Sequence, residues 1–192
     1  MNRVVFLVEE RSMAAFLDIW MKQVFPDVPF QCIPHQGKAD LLKSVPRKLR
    51  AWREPDVRFV VIIDNDNRKC EQLKTELLRV CHEAGRDDAL IRIACQELEA
   101  WYLGSPEALA AAFADPTLPN RLMKPRFRDP DRLSKPSEVL ARLIPAFQKV
   151  SGARAVARYI DRERNTSASF MTFVAGMDRI VGCLPPLPNA PD

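Results

Sequence analysis

Histidine, paired cysteines and long apolar runs are what this 192-residue sequence lacks. His35 and His82 are the only two histidines, too few and too isolated for a histidine-based metal site. The five cysteines, Cys32, Cys70, Cys81, Cys95 and Cys183, are odd in number and contain no CxxC pair. Each sits in an apolar-periodic context, which predicts reduced thiols rather than a disulfide framework or a zinc site. No apolar run approaches membrane-spanning length. The N-terminal run Val4–Val8 stops at Glu9 and Glu10, too short for a signal peptide. A cytoplasmic protein with no membrane partner is expected. Around Gly37-Lys38 the glycine spacing and the following Ser/Thr of a Walker A loop are missing, so no nucleotide-triphosphate loop is read there.

What is present is a charge asymmetry and a strand that ends in acids. The formal net charge is +4. From Arg121 to Arg164, 12 Lys/Arg stand against 5 Asp/Glu, a net of +7, which leaves −3 for the remainder. An acidic body with a basic segment points to a polyanionic partner. The stretch Phe59–Asn67 reads FVVIIDNDN. Its apolar run fits a strand buried on both faces, with Asp64 and Asp66 emerging at the C-terminal edge, where open α/β sheets bind ligands. Two carboxylates so close repel unless a cation or water screens them. An Asp-x-Asp metal site is one reading; an Asp/Asn-rich turn capping the next helix is the other.

The rest of the chain frames that strand. Arg3–Val8 is a second buried strand, and Ser12 is a candidate cap for the amphipathic helix behind it. Phe30–Pro34 reads as a short strand. The helix around Leu41–Trp52 carries Pro46 as a kink or restart. After the Phe59–Ile63 strand come a helix closed by Gly85 and a fourth strand, Ala89–Cys95. This alternation predicts an α/β fold with a doubly wound, mostly parallel four-stranded sheet and helices on both faces.

Beyond Cys95 only helices are expected, at about 96–103, from Ser105-Pro106, and at about 137–150, 153–164 and 167–181. The expected division is an α/β core over 1–104, a helical C-terminal extension over 105–181 and a disordered tail over 182–192. Prolines 116, 119, 125, 130 and 136 make 115–136 a basic, proline-rich loop without periodicity, of a length that is usually functional or mobile. Trp101 and Tyr102 are expected in the core or at an interface.

In such a sheet strands one and three are commonly neighbours. Glu9, Asp64 and Asp66 would then converge on one edge as hard oxygen ligands for Mg²⁺ or Mn²⁺. VVFLVEE followed by a helix, with VVIIDNDN some fifty residues on, resembles the Toprim fold of primases, topoisomerases, ribosomal-RNA maturation nucleases and overcoming-lysogenisation-defect nucleases. That resemblance implies metal ligands and catalytic acids at Glu9, Asp64 and Asp66, acting on phosphodiester bonds. LVEERSMAAFL, QGKADLLKSVPRKLR, RIACQELEAWYLGSPEAL, KPSEVLARLIPAFQKVSGARAVARYID and RNTSASF resemble a bacterial Toprim-like family, domain of unknown function 4276, from residue 3 to about 180. Its members are often paired with AAA-type or SMC-like ATPases in mobile or defence-associated loci, which implies an ATPase partner.

The sequence departs from the Toprim pattern in two places. Glu10 stands where glycine is usual, and Met13 stands where many members carry a second acid. Glu97 and Glu99 are therefore candidate additional ligands, with Glu97 preferred, as a strand-end acid and catalytic residue. The alternative is that both complement a helix dipole. Lys38, Arg126, Arg128 and the i, i+4 series Arg154, Arg158 and Arg162 are candidate nucleic-acid contacts, DNA or RNA alike; for the series, a solvated helix face is the alternative. His35 is a candidate general acid or base, or an exposed turn residue without a role. In RNTSASF, Asn165, Thr166 and Ser167 are alternative helix caps. The leading expectation is a Mg/Mn-dependent nuclease; the alternative is a non-catalytic Toprim module that binds nucleic acid, nucleotide or an ATPase. A receiver-like phosphoacceptor is disfavoured because no fifth strand ends in lysine.

Overall fold

The structure is a computed structural model and describes residues 3–184. Residues 185–192 of the expected tail lie outside the described residues. β1 (Arg3–Val8), β2 (Phe30–Pro34), β3 (Val57–Asp64) and β4 (Leu90–Ala94) form one sheet in the order β2-β1-β3-β4. Every neighbouring pair is parallel. The strands are joined by α1 (Arg11–Val24), α2 (Lys38–Ala51) and α3 (Cys70–Glu83), since parallel neighbours need a crossover. The expected α/β fold is what forms.

The continuous apolar runs are explained by helices on both faces. Val4, Phe6, Val8, Val60 and Ile62 point into one cluster with Met13, Phe16, Leu17 and Trp20 of α1. Val5, Leu7, Phe59, Val61 and Ile63 point the other way, against Leu41, Val45 and Leu49 of α2 and Leu73 and Leu77 of α3. Neither face meets water, so no polar alternation is selected. α1 leads outward from β1 to β2, whereas α2 returns the chain past β1 to β3. The winding thus reverses between β1 and β3, which is where such sheets open a crevice.

α4 (Glu99–Leu103), α5 (Pro106–Phe113), α6 (Leu118–Leu122), α7 (Pro136–Leu143), α8 (Lys149–Ala157) and α9 (Ala168–Gly182) follow. Their apolar residues join the α1 cluster. At its centre Trp101 lies 5.1 Å from Phe173, ring to ring, and Phe173 lies 5.1 Å from Trp20. Phe16 and Phe170 close the same group at edge-on angles favoured by aromatic quadrupoles. Trp101 and Tyr102 are wholly buried.

Five local expectations are corrected. The helix expected at 96–103 begins only at Glu99, because Gln96 adopts a left-handed backbone with φ 65°. The helices expected at 137–150 and 153–164 become α7 and α8, because Pro145 cannot donate an amide and disfavours helical backbone at Ile144, whose φ and ψ are −133° and 87°. The 115–136 segment is no structureless loop. α6 and 3₁₀ turns at Pro125–Phe127 and Pro130–Arg132 bury Leu118, Leu122, Phe127 and Pro130. Ser12 lies inside α1 and its hydroxyl donates to Glu10 Oε1 at 2.9 Å, while Glu10 holds the cap position. Pro46 sits within an unbroken α2.

The RNTSASF segment is a hydrogen-bonded knot. Ser167 is the cap of α9 and accepts the Phe170 N–H at 3.1 Å. Asn165 donates to the Trp101 carbonyl at 2.8 Å and accepts the Ser167 N–H at 2.8 Å. Asp131 accepts from Ser167 Oγ and from the Ser169 N–H, each at 2.7 Å, tying the proline-rich segment to α9. Gly104 packs directly against this knot. A Cβ there would stand 2.1 Å from Asn165 Oδ1 and 2.8 Å from the Ser167 nitrogen. Gly104→Ala is therefore expected to destabilise the protein by about 1–3 kcal/mol, read as a lower urea midpoint; an unchanged midpoint would refute the tight packing.

Candidate functional site

Register places the acids. Val8 of β1 pairs with Ile62 of β3, so Glu9 and Asp64 leave adjacent strands at nearly the same height. Glu9 Oε2 accepts the Asp64 N–H at 3.2 Å. The loop after β2 fixes Glu9 from the other side, with the Gly37 N–H donating to the Glu9 carbonyl at 3.0 Å. Gly37 has φ 91°, a conformation that favours glycine. His35, read above as an exposed turn residue if it had no role, is instead buried. Its Nδ1–H donates to the Val8 carbonyl at 2.9 Å, which fixes the tautomer and makes it a pin for the end of β1.

DNDN forms a turn, but it does not cap the next helix: Lys69 holds the cap position of α3 and no side chain bonds there. Asp66 and Asn67 have φ of 44° and 64°, left-handed values that Asp and Asn tolerate best among non-glycine residues. Buried Asn65 donates its side-chain amide to the Arg68 carbonyl at 2.7 Å and accepts the Gln96 N–H. The Asn65 N–H reaches the Ala94 carbonyl at 3.2 Å. Asn65 thus clamps the turn to the end of β4, and Asp64 and Asp66 are held on either side of it.

The two candidates after β4 separate sharply. Glu97 Oε2 accepts the Ser137 N–H at 2.7 Å and so caps the first turn of α7. Glu99, one helical turn before Tyr102, is 1% exposed, and neither of its oxygens has a hydrogen-bond partner. Glu99 is among the acids whose charge bears on Asp64.

Burial and mutual repulsion dominate the electrostatics. Burial pushes Asp64 well above the usual carboxylate range, and Glu9, Glu99, Glu10 and Asp66 add to the shift. Burial also raises Glu9, against the opposing pull of Lys38 and of the Asp64 N–H. Glu99 is pushed up to about 7 by burial, with Lys149 opposing. Tyr102, wholly buried with its hydroxyl unpartnered, is raised by burial and then by Glu99 and Asp64.

Two lysines answer this charge. Lys38 Nζ meets Asp66 Oδ2 at 2.5 Å. Lys149, at the start of α8, meets Glu10 Oε1 at 3.2 Å. Burial works against the Lys149 charge, but Glu99, Glu10 and Asp64 outweigh it and raise its pKa. Lys149 was not singled out in the sequence. It lies roughly fifty residues past β4, and only the packing of α8 on α1 brings it in.

The remaining basic candidates lie outside this cluster of charges. Arg126 stacks on the Phe127 ring at 4.6 Å, and Arg128, Arg154 and Arg158 are exposed. α8 ends at Ala157, so the expected stripe stops before Arg162, which pairs with Asp178 of α9 at 2.5 Å.

Among the described residues, no three His, Cys, Asp or Glu side chains stand in a ligating arrangement around one point. The donor set nonetheless suits a hard divalent cation. It offers oxygens only, and the Glu99 carboxylate is buried with both oxygens unpartnered.

Residues 8–178 match the family described as Domain of unknown function (DUF4276). No curated protein matches the chain. Among solved structures, the C-terminal region of the Xanthomonas campestris pv. campestris OLD protein superposes with a TM-score of 0.54 at 15% sequence identity, covering 94% of this chain and 97% of that one. At that identity the likeness concerns the fold. Among the described residues no helix is long and apolar enough to cross a membrane.

The Glu99 shift has a sign that can be checked. A carboxyl whose folded value is about 7 against an ordinary 4.5 binds its proton more tightly in the folded state. Its contribution to stability is present below about 4.5 and lost as pH rises through 7. Glu99→Gln is expected to raise stability above pH 7 by about 2–3 kcal/mol and to flatten the fall across that window. Urea titrations at pH 5 and pH 8 (roughly either side of the transition) check it; equal slopes in both proteins would contradict the buried, unpaired charge.

Proposed function

The chain belongs to the DUF4276 family, and we propose that it is a Toprim-type, divalent-cation-dependent nuclease or related phosphodiester-processing protein. The observation that carries this reading is the adjacency of Glu9 and Asp64 at the ends of β1 and β3, where Glu9 Oε2 accepts the Asp64 N–H at 3.2 Å and the charges of Glu99 and Asp66 act on Asp64. Perturbed acids held at a topological switch point are the signature of a candidate functional site. The fold shared with the OLD protein's C-terminal region supports the Toprim assignment at the level of architecture.

Glu9, Asp64 and Asp66 would hold Mg²⁺ or Mn²⁺, with Glu99 completing the donor set and Glu97 reserved for capping α7. The ion, when bound, supplies a Lewis acid for a phosphoryl oxygen and lowers the pKa of water beside it. The chain's own residues do the rest. Lys38 neutralises Asp66 until a substrate phosphate competes for it. Lys149 presents its ammonium from α8 to the same crevice, where a phosphate's developing charge needs a cation. Arg126, Arg128, Arg154 and Arg158 offer exposed charge for a nucleic-acid backbone, DNA or RNA. An ATPase partner in a mobile-element or phage-defence setting belongs to the same proposal.

A second reading is favoured by the ion pairs. Lys38 on Asp66 and Lys149 on Glu10 already balance two acids without any added ion, as a non-catalytic binding module would. Cleavage assays on DNA and RNA with Mg²⁺ or Mn²⁺ separate the two. The nuclease reading expects wild-type cleavage, its reduction to background in Asp64→Asn and in Glu9→Gln, and a loss of about 100-fold or more in Lys149→Met. Cleavage that survives both acid substitutions removes the site assignment. Folded wild-type protein that cleaves neither polymer with either metal favours the binding module.

A further inference from the structure

Two thiols meet behind the acidic turn. Cys70 is the first residue of α3, and Cys95 directly follows β4; their sulfurs stand 3.6 Å apart. Both are half-buried, and both line a cavity of about 280 Å³ between α3, β4 and the start of α9. Glu71, Lys74, Arg92 and Asp131 also line it, so a small polar solute has a path to the pair. The other three cysteines are differently placed: Cys81 is buried against the sheet, Cys32 lies on β2, and Cys183 is exposed beyond α9.

The pair flanks the segment that carries the acids. Asp64–Lys69 runs straight into Cys70, while Cys95 sits between Ala94 and Gln96. Those two residues take the hydrogen bonds that clamp the turn: Asn65 N–H to the Ala94 carbonyl at 3.2 Å, and Asp66 N–H to the Gln96 carbonyl at 3.4 Å. The Cys95 N–H is itself held by Ser169 Oγ at 3.3 Å. A disulfide has an S–S length of about 2.05 Å. From 3.6 Å the sulfurs need to approach by roughly 1.5 Å to bond.

We propose that Cys70 and Cys95 form a redox-modification site, in which a hydroperoxide converts the dithiol to an intramolecular disulfide that stiffens the turn bearing Asp64 and Asp66. With hydrogen peroxide as the co-reactant the step balances. One sulfur attacks an oxygen; the S–O bond forms, the O–O bond breaks, and the released oxygen leaves as water with the thiol's proton. The second sulfur then attacks the sulfenic sulfur; the S–S bond forms, the S–O bond breaks, and a second water leaves with the second thiol's proton. Two electrons pass from the dithiol to the peroxide, and a dithiol reductant reverses the change. The bond would link the start of α3 to the end of β4, both already joined to the turn. This inference stands on the thiol geometry and does not depend on the acids being catalytic.

The test treats the full-length chain with hydrogen peroxide, blocks residual thiols with N-ethylmaleimide in denaturant, and maps the peptides by mass spectrometry. The expected result is a linked Cys70–Cys95 peptide pair, two fewer blocked thiols, and recovery of both by dithiothreitol. Cys183→Ser should leave this unchanged; Cys70→Ser should leave Cys95 blockable or singly oxidised. Amide exchange in residues 65–69 should slow in the oxidised protein. Full blocking of both cysteines after peroxide, their conversion to separate sulfinic acids, or linkage only between chains through Cys183 would overturn the site. Unchanged exchange at 65–69 would overturn its effect on the turn. The wild-type map decides the chemistry whether or not the Cys70→Ser protein folds.

Discussion

The parallel pairing of β1 with β3 sets Glu9 beside Asp64, and most of what is distinctive about this molecule follows from that register. Two strands buried on both faces must run side by side, and their apolar runs must end together for their backbones to reach solvent together. The first polar residues past those ends are then forced into one crevice. The Asp64 N–H donating to Glu9 is the direct trace of that constraint. Had β1 paired one residue out of register, every one of its side chains would have changed face and the packing of both apolar layers would have been lost.

Helices from the second half of the chain make the crevice electrostatically unusual. α4 brings Glu99 in with no partner for its oxygens, and α8 brings Lys149. Carboxylates at a sheet edge open to water would keep ordinary pKa values. Glu99 is 1% exposed and Asp64 partly buried, so they lose solvent, and the acids around Asp64 add repulsion.

Rigidity is concentrated around the same place. Asn65 bonds the acidic turn to the end of β4, His35 pins the end of β1, and Asp131 ties the proline-rich segment to α9. The segment 115–136 is ordered by buried Leu118, Leu122 and Phe127, spaced too irregularly to register as periodic. Its role is first of all to complete the packing on which the crevice rests.

The four strands, their parallel direction and the position of Glu9, Asp64 and Asp66 at strand ends were legible because they depend on local pattern: buried strands must be apolar, and their ends must be marked by charge or turn residues. The DNDN turn was legible for the same reason, since consecutive left-handed residues favour Asp and Asn. Choosing Glu99 over Glu97, adding Lys149, burying His35 and bringing Cys70 to Cys95 were not legible. Each depends on which way a helix or loop docks after the chain has closed, and Gln96 and Pro145 shift those helices by a few residues that periodicity does not register. The sequence by itself determined the sheet and the strand-end acids, because both arise from burial along a single strand. Only the tertiary structure decided which later side chains face those acids, because that is set by packing between elements tens of residues apart.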